Sequence, residues 1–366
     1  MQGLLTALSR GFKKWIGWKR LGVAASLFIV AFAITTLVRT LRGVDGGVIL
    51  TALANIPPGN IALAALCVIG AFCTLTFYDF LALRTLGKKH IPYRIAALSS
   101  FTSYSIGHNV GATVFTGGAI RFRIYSDYGL NAIDVAKVCF LSGLTFWLGN
   151  IFVLGIGMAL YPSAASGMDR LPDAINRLIG IGGVVGIFAY VGWLWLGKNR
   201  RQLGQHGWKV VLPSGRLTLL QILVGVVDLT FCATAMYLLM PAQPPIAFLS
   251  LAVVFILATL LGFASHAPGS IGVFDAAMLL ALPQFGREEL LATLLVFRVL
   301  YFVIPFGTAI SIMGARELWI NVVVPWQQRR RINDGNFAPK ASTSPPPAPT
   351  SQAATVPQRV QRTRMR

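Results

Sequence analysis

The chain has 366 residues, a formal net charge of +20, 55% hydrophobic residues and only 12% charged residues, and its mean hydropathy is +0.66. Soluble domains run near 25% charged, so an ordinary soluble enzyme is excluded, and apolar content this high also excludes a chain that is mostly disordered. The four cysteines (Cys67, Cys73, Cys139, Cys232) lie inside apolar runs with no CxxC and no Cys/His ligand spacing. Neither a disulfide framework nor a zinc site is therefore expected, and no cofactor is called for.

The predicted elements are those of an all-α polytopic membrane protein. Residues 1–20 form a basic leader carrying Arg10, Lys13, Lys14, Lys19 and Arg20. The apolar run 21–38 has about the length of a membrane span. Its exit, Thr36-Leu-Val-Arg-Thr40, lacks a small-x-small cleavage site, so it reads as an uncleaved first helix with a cytoplasmic N-terminus rather than a signal peptide. Further spans are predicted at 61–83, 132–160, 177–197, 217–240 and 290–313. Two interrupted segments, 94–116 and 246–283, are richer in Gly, Ser, His or Pro.

The connectors alternate in charge. Arg84, Lys88, Lys89 and Arg94 fall in one, and Lys198, Arg200, Arg201, Lys209 and Arg216 in another; the intervening ones hold Asp45, Asp169, Asp173, Glu288 and Glu289. Lys and Arg stay on the cytoplasmic side, which places the basic connectors inside. Were 94–116 a full span, Arg121, Arg123 and the loop 198–216 would all fall outside, so that segment is predicted to be a re-entrant hairpin. The same logic applies to 246–283, whose second arm, 273–283, is roughly 17 Å of helix, about half a bilayer core. The last 40 residues, 327–366, carry Pro345-Pro-Pro347 and eight Lys or Arg and read as a disordered basic cytoplasmic tail.

Eight hydrophobic segments result, six spans and two re-entrant hairpins, with both termini cytoplasmic. The first half (21–160) reads span, span, hairpin, span, and the second (161–326) repeats that order with its hairpin facing outward. This is the pattern of an inverted-topology repeat, in which interrupted segments at matching positions point to a site near the membrane midplane.

Ionisable side chains inside spans cost roughly 2.5–3.5 kcal/mol each at a helix centre, so each needs a partner or a role. Asp79 lies in the second span and has two readings, a local snorkelling pair with Arg84 near the interface or a functional group. Lys137 is expected to snorkel. Asp228 occupies the matching span of the second half and is too deep for a surface role. Arg298 is eight or nine residues into the last span, where its expected partner is Asp275, Asp228 or a ligand anion. His108 and His266 fall in the two hairpins, either as hydrogen-bonded residues of broken helices or as acid–base groups. Gly107, Gly111, Gly117 and Gly118 around the first hairpin, and Gly269 and Gly272 around the second, permit tight backbone approach, and Pro268 ends a helical arm. Freed amides at half-helix starts favour an anion. With Arg121, Arg123 and Arg298, the site is expected to suit phosphate. Gly118-Ala-Ile-Arg-Phe-Arg-Ile-Tyr125 reads either as a headgroup collar of guanidiniums and aromatic rings or as a plain positive-inside loop.

Three motifs carry a resemblance. The run from Ser105-Ile-Gly-His-Asn109 through Gly118-Ala-Ile-Arg-Phe-Arg-Ile-Tyr-Ser-Asp-Tyr-Gly-Leu130 resembles the membrane region of the bifunctional lysylphosphatidylglycerol synthase/flippase family, also called multiple peptide resistance factors. His266-Ala-Pro-Gly-Ser-Ile-Gly-Val-Phe-Asp275 is similar to the family's Pro-Gly-Gly-(Leu/Ile)-Gly-Val-Phe-Glu pattern, with Ser270 in place of the second Gly and Asp275 in place of Glu. Phe297-Arg-Val-Leu-Tyr-Phe-Val-Ile-Pro305 is similar to its Tyr-Arg…Pro segment. The resemblance spans roughly 15–325. It implies a flippase-like domain of the bacterial inner membrane that moves an anionic or aminoacylated phospholipid between leaflets. Bifunctional members add a soluble domain that transfers lysine from charged tRNA to phosphatidylglycerol; no such domain is expected here, so the expectation is a transporter and not an enzyme.

Two other readings stand beside it. One is an intramembrane enzyme acting on lipid phosphate through His108, His266, Asp275 and the arginines, although no HExxH and no paired nucleophile and base motif occurs. The other is a non-transporting partner that docks a separately encoded lipid synthase through the basic tail. No Walker A motif is present, so ATP is not the direct drive; proton coupling through Asp228, Asp275 or a histidine is the alternative. Nucleic acid is not an expected partner, because the bases gather on one membrane face and in the tail with no nucleic-acid-binding fold.

Overall fold

The computed structural model describes residues 47, 51, 54–111, 113–196, 202–203, 210–265 and 267–319. The leader, the first predicted span at 21–38, His266 and the tail lie outside the described residues. The chain divides into a unit up to Gly314 and a second from Ala315 onward; every contact below belongs to the first.

Eleven α-helices are described: α1 Pro58–Thr85, α2 Tyr93–Val110, α3 Thr113–Tyr125, α4 Ala132–Leu160, α5 Pro162–Asp169, α6 Asp173–Leu196, α7 Gly215–Leu239, α8 Phe248–Ala264, α9 Val273–Ala281, α10 Arg287–Arg298 and α11 Ile304–Leu318. Among the described residues, five helices are long and apolar enough to cross a membrane: α1, α4, α6, α7 and the continuous run Arg287–Leu318, in which a π-helical turn, Val299–Val303, joins α10 to α11. They answer to the predicted spans at 61–83, 132–160, 177–197, 217–240 and 290–313. The protein is an all-α polytopic membrane protein. Among the described residues the only strand pairing is a two-residue antiparallel ladder, Gln202–Leu203 with Val210–Val211, inside the basic connector.

Both interrupted segments are broken helices whose arms fold back on each other. In the first, α2 stops at Gly111, whose φ of 81° only glycine adopts readily, and α3 follows. A Cβ on Gly107 would lie 3.0 Å from Thr113 Cγ2, and one on Gly117 would lie 3.3 Å from Ser103 O, so the arms pack antiparallel at contact distance. The second arm runs on to Tyr125 rather than ending near 116. Gly117, Gly118, Arg121 and Arg123 therefore sit on a helix, which sets aside the alternative of a plain loop for 118–125. In the second, α8 ends at Ala264, a 3-10 turn occupies Pro268–Ser270, and α9 starts at Val273. The order long helix, broken pair, long helix thus occurs twice along the chain.

Glycine sets how closely the long helices cross. A Cβ on Gly149 in α4 would lie 2.7 Å from the backbone of Gly225 in α7, and one on Gly180 in α6 would lie 2.6 Å from Gly155 O in α4. Close backbone approach of this kind is how membrane helices gain packing energy without a hydrophobic drive. On the far side, α6 leaves Leu178, Val185, Phe188 and Trp195 exposed, the surface a lipid-facing helix requires.

Gly225→Val should lower stability by about 1–3 kcal/mol through overpacking, read as a reduced midpoint of thermal unfolding in lipid–detergent micelles. Gly143→Ala, where an added Cβ meets open space, should leave the midpoint unchanged or raised. Equal midpoints for Gly225→Val and the wild type would contradict the close α4–α7 crossing.

Candidate functional site

The first hairpin is held by a buried ion pair. Asp79 on α1 is fully buried and Arg121 on α3 is 4% exposed. Arg121 Nε donates to both carboxylate oxygens at 3.0 and 2.9 Å, and Nη2 donates to Oδ1 at 2.8 Å. The Tyr125 hydroxyl donates to Oδ2 at 2.9 Å and Ser142 Oγ, from α4, to Oδ1 at 3.0 Å. The guanidinium lies over the Tyr104 ring, 4.8 Å from its centre. A carboxylate removed from water must recover its hydrogen bonds inside the protein, and Asp79 recovers them from two neighbouring helices, α3 and α4.

The second hairpin carries a comparable fork with the roles exchanged. Here the hairpin supplies the acid, Asp275 at the start of α9, and the last span supplies Arg298. Arg298 Nε donates to Asp275 Oδ1 at 3.0 Å and Nη2 to Oδ2 at 2.6 Å. The same guanidinium reaches the helix break, with Nη1 2.9 Å from Gly269 O and Nη2 3.4 Å from Ser270 O. Asp275 also accepts from the Gly272 amide at 3.0 Å, so one freed amide expected to await an anion is already taken by this carboxylate. Gly269 and Gly272 have φ of 60° and 83°, and Ser270 shares the left-handed region at 51°. That is the position where the resembling pattern carries a second glycine. A non-glycine residue there costs roughly 1–2 kcal/mol.

Between the hairpins lies a narrow cavity of about 40 Å³, its wall formed by Tyr104 and His108 of α2, Asp228 of α7, Phe263 of α8, Ser270 of the second break and Tyr301 of the π turn, among others. Asp228 is 4% exposed. It accepts from the Tyr78 hydroxyl at 2.9 Å and has the Cys232 thiol 4.0 Å away. His108 packs against Phe263 with ring centres 5.2 Å apart, so the two hairpins touch here. Asn109 Nδ2 donates to Phe302 O at 3.1 Å, tying the tip of the first hairpin to the π turn.

The structure brings His108, Asp228 and the second break together around one cavity, with Asp275 and Arg298 behind the break. It separates the other sequence candidates. Asp79 does not pair with Arg84, whose guanidinium lies over Phe80 instead; the partner is Arg121, because α3 packs back against α1 and α4. Arg121 and Arg123 do not form a joint collar. Arg123 is 44% exposed, with Asp127 3.5 Å away, since two residues along a helix point to different sides. Arg298 takes Asp275, and it makes no bond to Asp228. The sequence reading assigned no role to Tyr78, Tyr104, Ser142, Asn109 or Tyr301, and it placed Tyr125 in a collar rather than on Asp79. Helix spacing is a signal for Tyr104, which stands four residues before His108.

No protein-family model matches the chain. Among curated proteins it is 30% identical over 250 residues to the uncharacterized protein slr0712 of Synechocystis sp., covering 68% of this chain and 76% of that protein. It is 32% identical over 242 residues to the inner membrane protein YbhN of Escherichia coli, covering 64% and 72%. The phosphatidylglycerol lysyltransferase of Staphylococcus haemolyticus is 27% identical over 296 residues, 77% of this chain but 32% of the transferase. Fold and site define a polytopic helical membrane protein built around two broken helices. The chain belongs to the family of slr0712 and YbhN, and it is also similar to part of the lysyltransferase.

Arg121→Ala strands a fully buried carboxylate and should cost about 3–5 kcal/mol, whereas Arg123→Ala should change stability little because its charge is exposed. Unfolding midpoints of the two variants in micelles check this, and a larger loss for Arg123→Ala would contradict the assigned pairing.

Proposed function

We propose that the protein is a flippase that moves an anionic or aminoacylated phospholipid between leaflets, with both termini cytoplasmic and the two broken helices forming the halves of an inverted repeat. The observation that carries this reading is the Arg298 guanidinium, which bonds Asp275 and the broken backbone at once. A guanidinium fork holds phosphate in the same two-point geometry as carboxylate. A lipid phosphate can therefore take over the acceptor positions of Asp275 and the two carbonyls, while the displaced carboxylate keeps the Gly272 amide and turns its partly exposed side to water. Similarity to part of a phosphatidylglycerol lysyltransferase supports a phospholipid as the moved species.

A cavity of about 40 Å³ holds a few waters at most and no headgroup. The described conformation is thus a closed one, and transport requires the hairpins to part where His108 meets Phe263. Phe263, Phe274 and Phe302 then offer apolar surface to the glycerol and acyl chain, while Arg298 holds the phosphate. Arg121 has a positioning role in this account, because its donors are committed to Asp79.

The test is leaflet exchange of labelled lipids in proteoliposomes, comparing phosphatidylglycerol, aminoacylated phosphatidylglycerol and a zwitterionic lipid against empty vesicles. Arg298→Lys keeps the charge but loses the fork, and should slow headgroup-selective exchange about tenfold or more, the equivalent of ~1.4 kcal/mol. Exchange by folded wild-type protein no faster than in empty vesicles would overturn the flippase reading. Exchange unchanged by Arg298→Lys would overturn the role given to the fork.

A further inference from the structure

Among the described residues, Asp79, Asp228 and Asp275 are acids buried or half-buried away from the helix-end connectors, and two of the three are gripped by arginine. Asp79 has Arg121 and Asp275 has Arg298. Asp228 differs: among the described residues no cation pairs with it, and its one close donor is the Tyr78 hydroxyl. The titratable groups that face it are Tyr78 from α1, Tyr104 and His108 from α2, Cys232 one turn along α7, and Tyr301 from the π turn. None of these brings a standing positive charge. Helices α4, α8 and α10 contribute aromatic rings and Thr259 to the cavity, and α6 meets α7 elsewhere, around Ile222 and Val226. Arg121, over the Tyr104 ring, is neutralised by Asp79, and Arg298, at the break, by Asp275. An isolated carboxylate in such surroundings is far costlier than the neutral acid.

The second observation lies along α7. Thr218, Gln221, Gly225, Asp228 and Cys232 follow a spacing of three and four, which sets them on one helix face. All are buried, Gln221 fully so. Both amide atoms of Gln221 lack a hydrogen-bond partner, as does His108 Nδ1 on the far side of Asp228. Orphaned amide atoms inside a span are expensive, and they are served when water enters between the helices. This polar face starts at Gly215, beside the basic connector, and reaches Asp228 after about 20 Å of helix.

We propose that Asp228 is a proton-binding site, reached by water when the hairpins part, and that its proton is the ion coupled to lipid movement. In the closed form Asp228 is the neutral acid, with its Oδ2 accepting from Tyr78. Parting the hairpins admits water; the acid gives its proton to that water, leaving a carboxylate and a hydrated proton, and it must regain a proton before the hairpins close. The coupling rests on the flippase reading, whereas the proton site itself does not.

Infrared difference spectroscopy of the reconstituted full chain tests the site without any transport assay. At neutral pH the wild type should show the carbonyl stretch of a protonated carboxylic acid. Asp228→Asn, which keeps the shape and can still accept from Tyr78, should lose that band, whereas Asp275→Asn should keep it. Tyr78→Phe removes the bonded hydroxyl and should shift the band, which keeps the assignment testable if Asp228→Asn does not fold. Absence of the band from the wild type, or its persistence in folded Asp228→Asn, overturns the proposal. In proteoliposomes, one coupled proton makes a gradient of about one pH unit shift the steady-state leaflet ratio about tenfold, and Asp228→Asn should abolish that shift. A wild type that exchanges lipid but ignores the gradient overturns the coupling. A wild type that shows the infrared band yet exchanges nothing leaves the proton site standing and sinks the flippase reading.

Discussion

A charged side chain inside a membrane protein has no bulk water to fall back on, and that constraint organises this structure. Each buried carboxylate must find its hydrogen bonds in neighbouring helices, so each ion pair fixes the relative position of the elements it joins. Asp79 draws α3 onto α1 and recruits Ser142 from α4. Arg298 draws the second break onto the last span, using both the Asp275 side chain and the backbone carbonyls of Gly269 and Ser270. The hairpins are thereby shut by charge pairs of opposite construction, the first bringing the arginine and the second the acid. Arg298 differs from Arg121 in that part of its grip is on a helix break, where backbone groups are already freed from helical pairing.

That difference gives the two pairs different work in our account. The Asp79 pair draws on four donor groups and is sealed by tyrosine and serine, which suits a fixed hinge point. The Asp275 pair is smaller, its acid is partly exposed, and it borders a break with three left-handed positions among four residues, Gly269, Ser270 and Gly272. A left-handed serine stores strain where the surrounding structure over-determines it, and such a break is where a hairpin can yield first. Asp228, lacking any arginine, sits across the cavity from that break.

Much of the fold was legible because span length and apolar composition are properties of single segments. The run predicted at 132–160 is the helix Ala132–Leu160, and 217–240 is displaced by two residues at its start and one at its end from Gly215–Leu239. The first hairpin was misjudged at its far end for an identifiable reason. Gly117 and Gly118 look like helix breakers in isolation, but α3 lies so close to α2 that a glycine is what Ser103 leaves room for. The candidate residues were visible as charges in apolar surroundings; their partners were not. Asp79 has an arginine five residues away in sequence and bonds one 42 residues away, because the choice is made by how helices pack and not by local spacing. The tyrosines escaped notice because, taken singly, an apolar-tolerant aromatic in a span calls for no explanation.

The central claim is that lipid passes where the two hairpins meet, and a reversible cross-link tests it most directly. With the four native cysteines replaced, His108→Cys and Phe263→Cys introduce thiols at a contact whose rings now lie 5.2 Å apart. The double variant must first show lipid exchange in its reduced state. Bridging the thiols should then stop exchange in proteoliposomes, and reduction should restore it. Exchange that continues undiminished in fully cross-linked protein would contradict the account.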